Sequence, residues 1–172
     1  MRHQPFFLSN KCSARQQGGV VVEFALILTL LISLIAGIFE FGRAFWYYDA
    51  LTKATRDGAR LMSVTDKATL NTAVTGGIAL TKSQVAFAVA DTVSGAGVPD
   101  FTTDNVEVTC LNATYDDATC TDGTAPGGVR VQIVGYTLTI GQFIPFLLGA
   151  SSSYTAALSP HTTMRWMPVD AP

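Results

Sequence analysis

The sequence predicts an α+β protein. A long N-terminal helix, half transmembrane and half periplasmic stalk, packs on a small antiparallel sheet. Three observations predict it. Residues 20–39 form an apolar run whose single charge is Glu23. A helical period then continues to about residue 64, and the last third of the chain alternates with period two, as half-buried strands do. Composition agrees. Of 172 residues, 14% are charged, against about 25% in an average soluble chain. Apolar residues make up 48%, and mean hydropathy is +0.32. That balance excludes a disordered chain, which needs low hydrophobicity and high charge. With 11 bases against 13 acids, a broadly basic nucleic-acid surface is excluded too. Neither a nucleic acid nor a small-molecule substrate is expected as a partner.

The first element is a basic head. Residues 1–18 hold Arg2, Lys11 and Arg15 and no acid, leaving 8 bases and 13 acids in the rest. Cationic flanks stay on the cytoplasmic side of a membrane helix, so the N-terminus is expected inside. Everything after about Arg43 then lies across the membrane, in the periplasm where a cell has one. The run at 20–39 reaches about 30 Å as a helix, the thickness of a hydrocarbon core. A removable secretory signal has an apolar core of about 7–15 residues and a small-x-small cleavage site. Here the run is longer and no Ala-x-Ala follows. Phe39, Phe41, Phe45, Trp46, Tyr47 and Tyr48 follow instead, a series suited to a lipid–water boundary. Membrane lipid is therefore an expected partner.

Two details inside the run need a cause. Glu23 either reaches back to the interface or pairs with a cation of this chain or a neighbour, because an intramembrane carboxylate is costly alone. Ala25, Thr29, Ser33 and Gly37 recur at every fourth position and form one stripe. Small-xxx-small stripes let helices approach closely in lipid.

These residues also carry a resemblance. Gly18 followed by Gly19-Val20-Val21-Val22-Glu23-Phe24 resembles the processing site of type IV-like prepilins. Glu40-Phe41-Gly42-Arg43 and Ala54-Thr55-Arg56-Asp57-Gly58-Ala59-Arg60 resemble the two signature stretches of TadE-like proteins, which are minor pilins or pseudopilins of tight-adherence (Flp) pilus machines. The likeness covers about residues 15–64 and is looser beyond, where Gly135-Tyr136-Thr137-Leu138 and Phe143-Ile144-Pro145 share the family's look. TadE and TadF relatives share this layout, and the longer TadG type does not fit the length. The resemblance implies a pilin-like fold and cutting by a prepilin peptidase between Gly18 and Gly19. It implies Glu23 and Phe24 as assembly and registration residues, with the motif residues Glu40, Gly42, Arg43, Arg56, Gly58 and Arg60 beside them. It also implies other pilin or pseudopilin subunits and an inner-membrane assembly platform as partners. A cut there bares a new amino group at Gly19, about 6 Å along a helix from Glu23. Pairing with such a group on a neighbouring helix offsets the insertion cost of Glu23 and sets register between subunits.

The chain then divides into a cleaved leader at 1–18, a membrane helix at 19–43, a stalk with a short second helix at 44–94, and a β-rich domain at 95–172. On the stalk, Tyr47, Leu51, Ala54, Gly58 and Leu61 fall on one side. Asp49 and Lys53 make an acid-first i,i+4 pair, and Glu40 and Arg43 an i,i+3 pair. A helix over residues 20–64 is roughly 68 Å long. Residues 65–82 read as an irregular connection. Residues 83–94 read as a helix, with Ser83 as candidate cap and Val85, Val89 and Val93 on one face. Gly95-Ala96-Gly97-Val98-Pro99 stops it. Val106, Val108 and Cys110 alternate, as do Val129, Val131 and Ile133. Residues 136–140 read as a continuation of the second of these strands. Residues 153–158 and 162–166 are further candidates, with His161 in the turn before the last.

Cys12 lies in the leader. Cys110 and Cys120 are left facing an oxidising space, where a disulfide is stable. The rival, metal binding, lacks a nearby His or third Cys. Asn112, Asp116, Asp117 and Asp122 read as solvated groups, without the EF-hand spacing of a calcium site. The run Phe143-Ile144-Pro145-Phe146-Leu147-Leu148 is too short to span and reads as core or as a contact surface. No catalytic constellation, phosphate loop, zinc spacing or nucleophile elbow is present in the sequence, and no cofactor is expected. The alternative to a pilin-like role is a single-span anchor carrying a periplasmic binding or sensor domain. An enzyme is a distant third.

Overall fold

The structure, a computed structural model, describes residues 17–71, 81–141 and 154–167. The leader through residue 16, the Gly76-Gly77 part of the expected irregular connection and the apolar run at 143–148 lie outside the described residues.

Helix α1 runs unbroken over Gln17–Ser63, 47 residues. No proline interrupts it, and Arg60 in its last turn complements the negative end of the helix dipole. The hydroxyls of Ser63 and Thr65 cap the carbonyls of Arg60 and Leu61, at 2.8 and 3.0 Å, where the helical ladder ends. A single 3-10 turn, Lys67–Thr69, follows with Asp66 as its cap.

Helix α2 spans Lys82–Gly95. Its cap is Thr81, not Ser83: the Thr81 hydroxyl accepts from the Gln84 amide and the Gln84 side chain accepts from the Thr81 amide. This reciprocal capping box satisfies two donors that the first turn leaves open. The Thr-x-x-Gln pattern was there to be read. Val85, Val89 and Val93 are buried on one face, as the spacing predicts.

The strands are β1 Val106–Leu111, β2 Asp117–Ala118, β3 Gly128–Ile133, β4 Thr137–Ile140, β5 Tyr154–Ala157 and β6 His161–Arg165. They form an antiparallel four-stranded sheet in the order β2-β1-β3-β6 and a two-stranded β4-β5 sheet. Two expectations change here. Residues 136–140 do not continue β3: the chain turns at Gly135, whose φ of +65° suits a residue without Cβ, and β4 joins a separate sheet. His161 is not in a turn: it begins β6 and pairs with Gln132. The pair β2, two residues long, was not foreseen. Asp117 and Ala118 give no periodic signal over so short a span.

The core lies between the outer half of α1, helix α2 and the four-stranded sheet. Leu51, Ala54 and Met62 of α1, Val85, Val89 and Val93 of α2, and Val129, Val131 and Ile133 of β3 are all at most 2% exposed. The buried arc of α1 is wider than the expected stripe and shifted in phase. Leu61 is 37% exposed, while Met62 is fully buried. Both α2 and the sheet pack on α1, so positions 54, 55, 58, 59, 62 and 63 all turn inward. The result is the α+β layout expected: a long N-terminal helix with a small antiparallel sheet against its distal half.

Candidate functional site

The proximal half of α1 is left largely exposed by the described residues. Val20 is 69% and Leu30 74% exposed, and the most apolar 18-residue window has mean hydropathy 2.6 with no buried share. Among the described residues this is the one helix long and apolar enough to cross a membrane. A soluble protein does not leave such a surface bare, because each buried methylene is worth about 0.8 kcal/mol. Gly18 and Gly19 already belong to the helix, and a Cβ at either would meet open space. Glu23 and Phe24 are exposed on it.

The small-residue stripe is internally satisfied. The Thr29 hydroxyl donates to the Ala25 carbonyl at 2.7 Å, and the Ser33 hydroxyl to the Thr29 carbonyl at 2.6 Å. Such back-bonding leaves neither hydroxyl as an open donor on the apolar surface. Gly37 has open space at its Cβ position. The stripe is therefore a free, shallow track, and no helix of this chain fills it among the described residues.

Where α1 meets the head, polar groups converge. Glu40 is 3% exposed and accepts from the Arg43 guanidinium at 2.8 Å. The same guanidinium nitrogen donates to the Thr139 carbonyl of β4 at 3.2 Å. Arg43 also lies 6.0 Å from the Tyr47 ring centroid, within cation–π range. A cavity of about 250 Å³ opens here, lined by Arg43, Tyr47, Asp100 and Tyr136 among others. Burial pushes the Tyr136 phenol up, Tyr47 and Asp100 add to the shift, and Arg43 opposes it. The Tyr136 hydroxyl donates to the Pro99 carbonyl, and the Trp46 indole to the Ala96 carbonyl at 3.2 Å. The first motif is thus a clasp that pins the helix to the head one turn beyond the apolar span. The i,i+3 pair was legible in the sequence; Thr139, 96 residues away, was not. Gly42, within the motif, is exposed with open space around it.

The second motif divides by face. Ala54, Thr55, Gly58 and Ala59 are buried, while Arg56, Asp57 and Arg60 are exposed. A Cβ on Gly58 would come 2.4 Å from a Val89 methyl and 3.4 Å from one of Val131, so glycine is what lets α1 approach both α2 and β3. The Thr55 hydroxyl meets that of Thr162 on β6 at 3.1 Å. The charged face is left for solvent or a partner.

At the far end of the head, Cys110 and Cys120 form a disulfide. It closes the loop in which the Asn112 side chain accepts from the amides of Thr114 and Asp116, both at 2.9 Å. Hydrogen bonds from Thr114 and then Asn112 hold the Asp116 carboxyl below the usual aspartate range. Arg130 pairs with Asp117 across the sheet. These contacts organise a surface loop.

The whole arrangement, one long apolar N-terminal helix and a small α+β head, is compatible with a membrane-anchored protein. The family model described as TadE-like protein matches residues 18–60, the same family that the sequence resembles. The match begins at Gly18, contains both signature stretches and lies entirely on α1. Among curated proteins and among solved structures, none matches the chain significantly. A TadE-like segment on a long apolar helix fits a membrane protein associated with a tight-adherence pilus.

Proposed function

We propose that this chain is a minor pilin-like or pseudopilin-like subunit. A prepilin peptidase cuts it after Gly18, and it takes part in assembling a tight-adherence pilus. The observation that carries the reading is the coincidence of the TadE-like match, beginning at Gly18, with an apolar helix whose first half is exposed among the described residues. The N-terminus lies in the cytoplasm and the head in the periplasm. The acid–ammonium pairing between Glu23 and a neighbour's Gly19, together with the Ala25–Thr29–Ser33–Gly37 track, supplies the helix-to-helix contact. The chain carries out no catalysis in this role; it offers surfaces to the peptidase, to sibling subunits and to the assembly platform.

Intact mass of membrane-extracted protein, with and without the peptidase, tests the reading. Loss of residues 1–18 only where the peptidase is present supports it. An uncut chain under both conditions supports a plain single-span anchor instead. Gly18→Phe should block the cut by placing a bulky ring at the scissile position. Glu23→Ala should leave cutting intact and impair piliation; normal piliation in that variant removes the registration role.

A further inference from the structure

We infer that the end of the head nearest the span, formed by the Ile140–Tyr154 end of the β4–β5 pair and the exposed rings of α1 beside it, rests in the interfacial layer of the bilayer. This goes beyond anchoring by the helix and rests on the reading that α1 crosses the membrane.

The direction of the strands along α1 locates that end. Strand β6 climbs away from the span: Thr162 meets Thr55, and the Trp166 indole, just past the strand, donates to the Thr65 carbonyl. Strand β5 precedes β6, so its start points back toward the span. Strand β4 agrees, for Tyr136 shares a cavity with Tyr47 while Thr139 is held by Arg43. Ile140 and Tyr154 pair at this end, level with the first helical turn beyond the apolar run. An interfacial layer about 5–7 Å deep flanks the hydrocarbon core, so groups within a turn of residue 39 fall inside it.

The chemistry of that end fits lipid. Tyr154 is 64% exposed. On α1, Phe41 lies within that turn and Phe45 and Trp46 follow it, each more than 60% exposed; of the two charged residues between 39 and 46, Glu40 is buried and Arg43 pairs with it. Aromatic rings with one polar edge are the residues that membrane interfaces select. Strands β4 and β5 hold no Asp, Glu, Lys or Arg. The far end differs: Asp66, Lys67, Asp117 and Asp122 gather there, with Asp122 accepting from the Asn71 amide. The ionic groups of the lower end are gathered at the clasp: Glu40 is buried and pairs with Arg43, and Asp100 lines the same cavity as that cation. A second copy of the chain is the other candidate occupant. The continuity of this surface with the lipid-facing helix favours the bilayer.

Fluorescence quenching in vesicles decides it. The full chain carrying Trp46→Phe is reconstituted in phosphatidylcholine brominated either near the headgroup or near the chain end. Trp166, buried at the distal end, serves as an unquenched internal reference. Tyr154→Trp should lose roughly half of its added emission to bromine near the headgroup, and less to bromine near the chain end, the pattern of an interfacial ring. Leu30→Trp reports the span itself and should be quenched most by deep bromine. If Leu30→Trp is quenched while Tyr154→Trp responds only to aqueous iodide, the head stands clear of the bilayer and the inference fails alone. If Tyr154→Trp is shielded from both quenchers, a protein contact covers it and the inference fails. If Leu30→Trp escapes bromine, the spanning reading falls and takes the inference with it.

Discussion

Gly58→Ala tests the packing of the stalk most directly. In a free helix this change is favourable by about 0.5–1 kcal/mol, because glycine loses more backbone entropy. Here the added methyl would lie 2.4 Å from Val89 Cγ2, where ordinary carbon contacts sit at about 3.5–4.0 Å. Val89 is 2% exposed, and as a β-branched residue in a helix it has one strongly preferred rotamer. Val85 and Val131, at 3.6 and 3.4 Å from the same point, block sideways escape. Helix α2 must therefore move. Overpacking of this kind costs about 1–3 kcal/mol, so the net effect after the helical gain is a loss of up to about 2.5 kcal/mol, centred near about 1. Thermal unfolding of the full chain in detergent, followed by near-ultraviolet circular dichroism, should show a fall in Tm of about 2–5 °C. Val89→Ala destabilises by itself through its cavity. The pair Gly58→Ala with Val89→Ala should nevertheless be more stable than the sum of the two losses by about 0.5–3 kcal/mol. A Gly58→Ala protein as stable as the parent, or more so, would mean that α1 does not seat against Val89.

Three further outcomes follow from the same contacts. Glu40→Ala should destabilise the head far more than Asp49→Ala, because breaking a buried pair costs about 3–5 kcal/mol whereas exposed helical pairs contribute about 0.3–0.5; Glu40 is 3% exposed and Asp49 and Lys53 are both largely exposed. Equal Tm shifts would refute the clasp. Replacing Cys110 and Cys120 together with alanine should lower stability by about 2–3 kcal/mol, the chain-entropy value for so short a loop, read by urea unfolding. Asp116 should titrate below the ordinary aspartate range by carboxyl carbon resonance, and Thr114→Val should bring it back up. Since its folded pKa is depressed, the loop's preference for the folded state is present above the ordinary aspartate pKa and is lost as pH falls through the lowered one.

Much of the fold and of the site was legible because it is local. The apolar run, the absence of proline across α1, the Glu40–Arg43 spacing and the valines of α2 are each written within a turn or two of helix. The Thr81 cap is equally local, two residues before Ser83, and marked by its Thr-x-x-Gln spacing. Where reading failed, distant partners decided. Whether Leu61 or Met62 faces inward depends on two elements packing on α1 together, a phase difference of one residue that apolarity alone does not resolve. The break between β3 and β4 at Gly135 hides inside an alternating run, because period two says nothing about which sheet a strand joins.

The sequence by itself determined an α+β chain with one membrane-length helix, a basic head before it, and TadE-like motifs on that helix, since hydrophobicity and side-chain period act over neighbouring residues. Tertiary structure alone decided what those motifs are for in the folded chain. Thr139 completes the Arg43 clasp from the second sheet, Val89 makes glycine necessary at position 58, and the β4–β5 pair comes to rest beside the end of the span. Each of these is a contact across dozens of residues, set by how two surfaces fit, and no stretch of sequence read alone contains it.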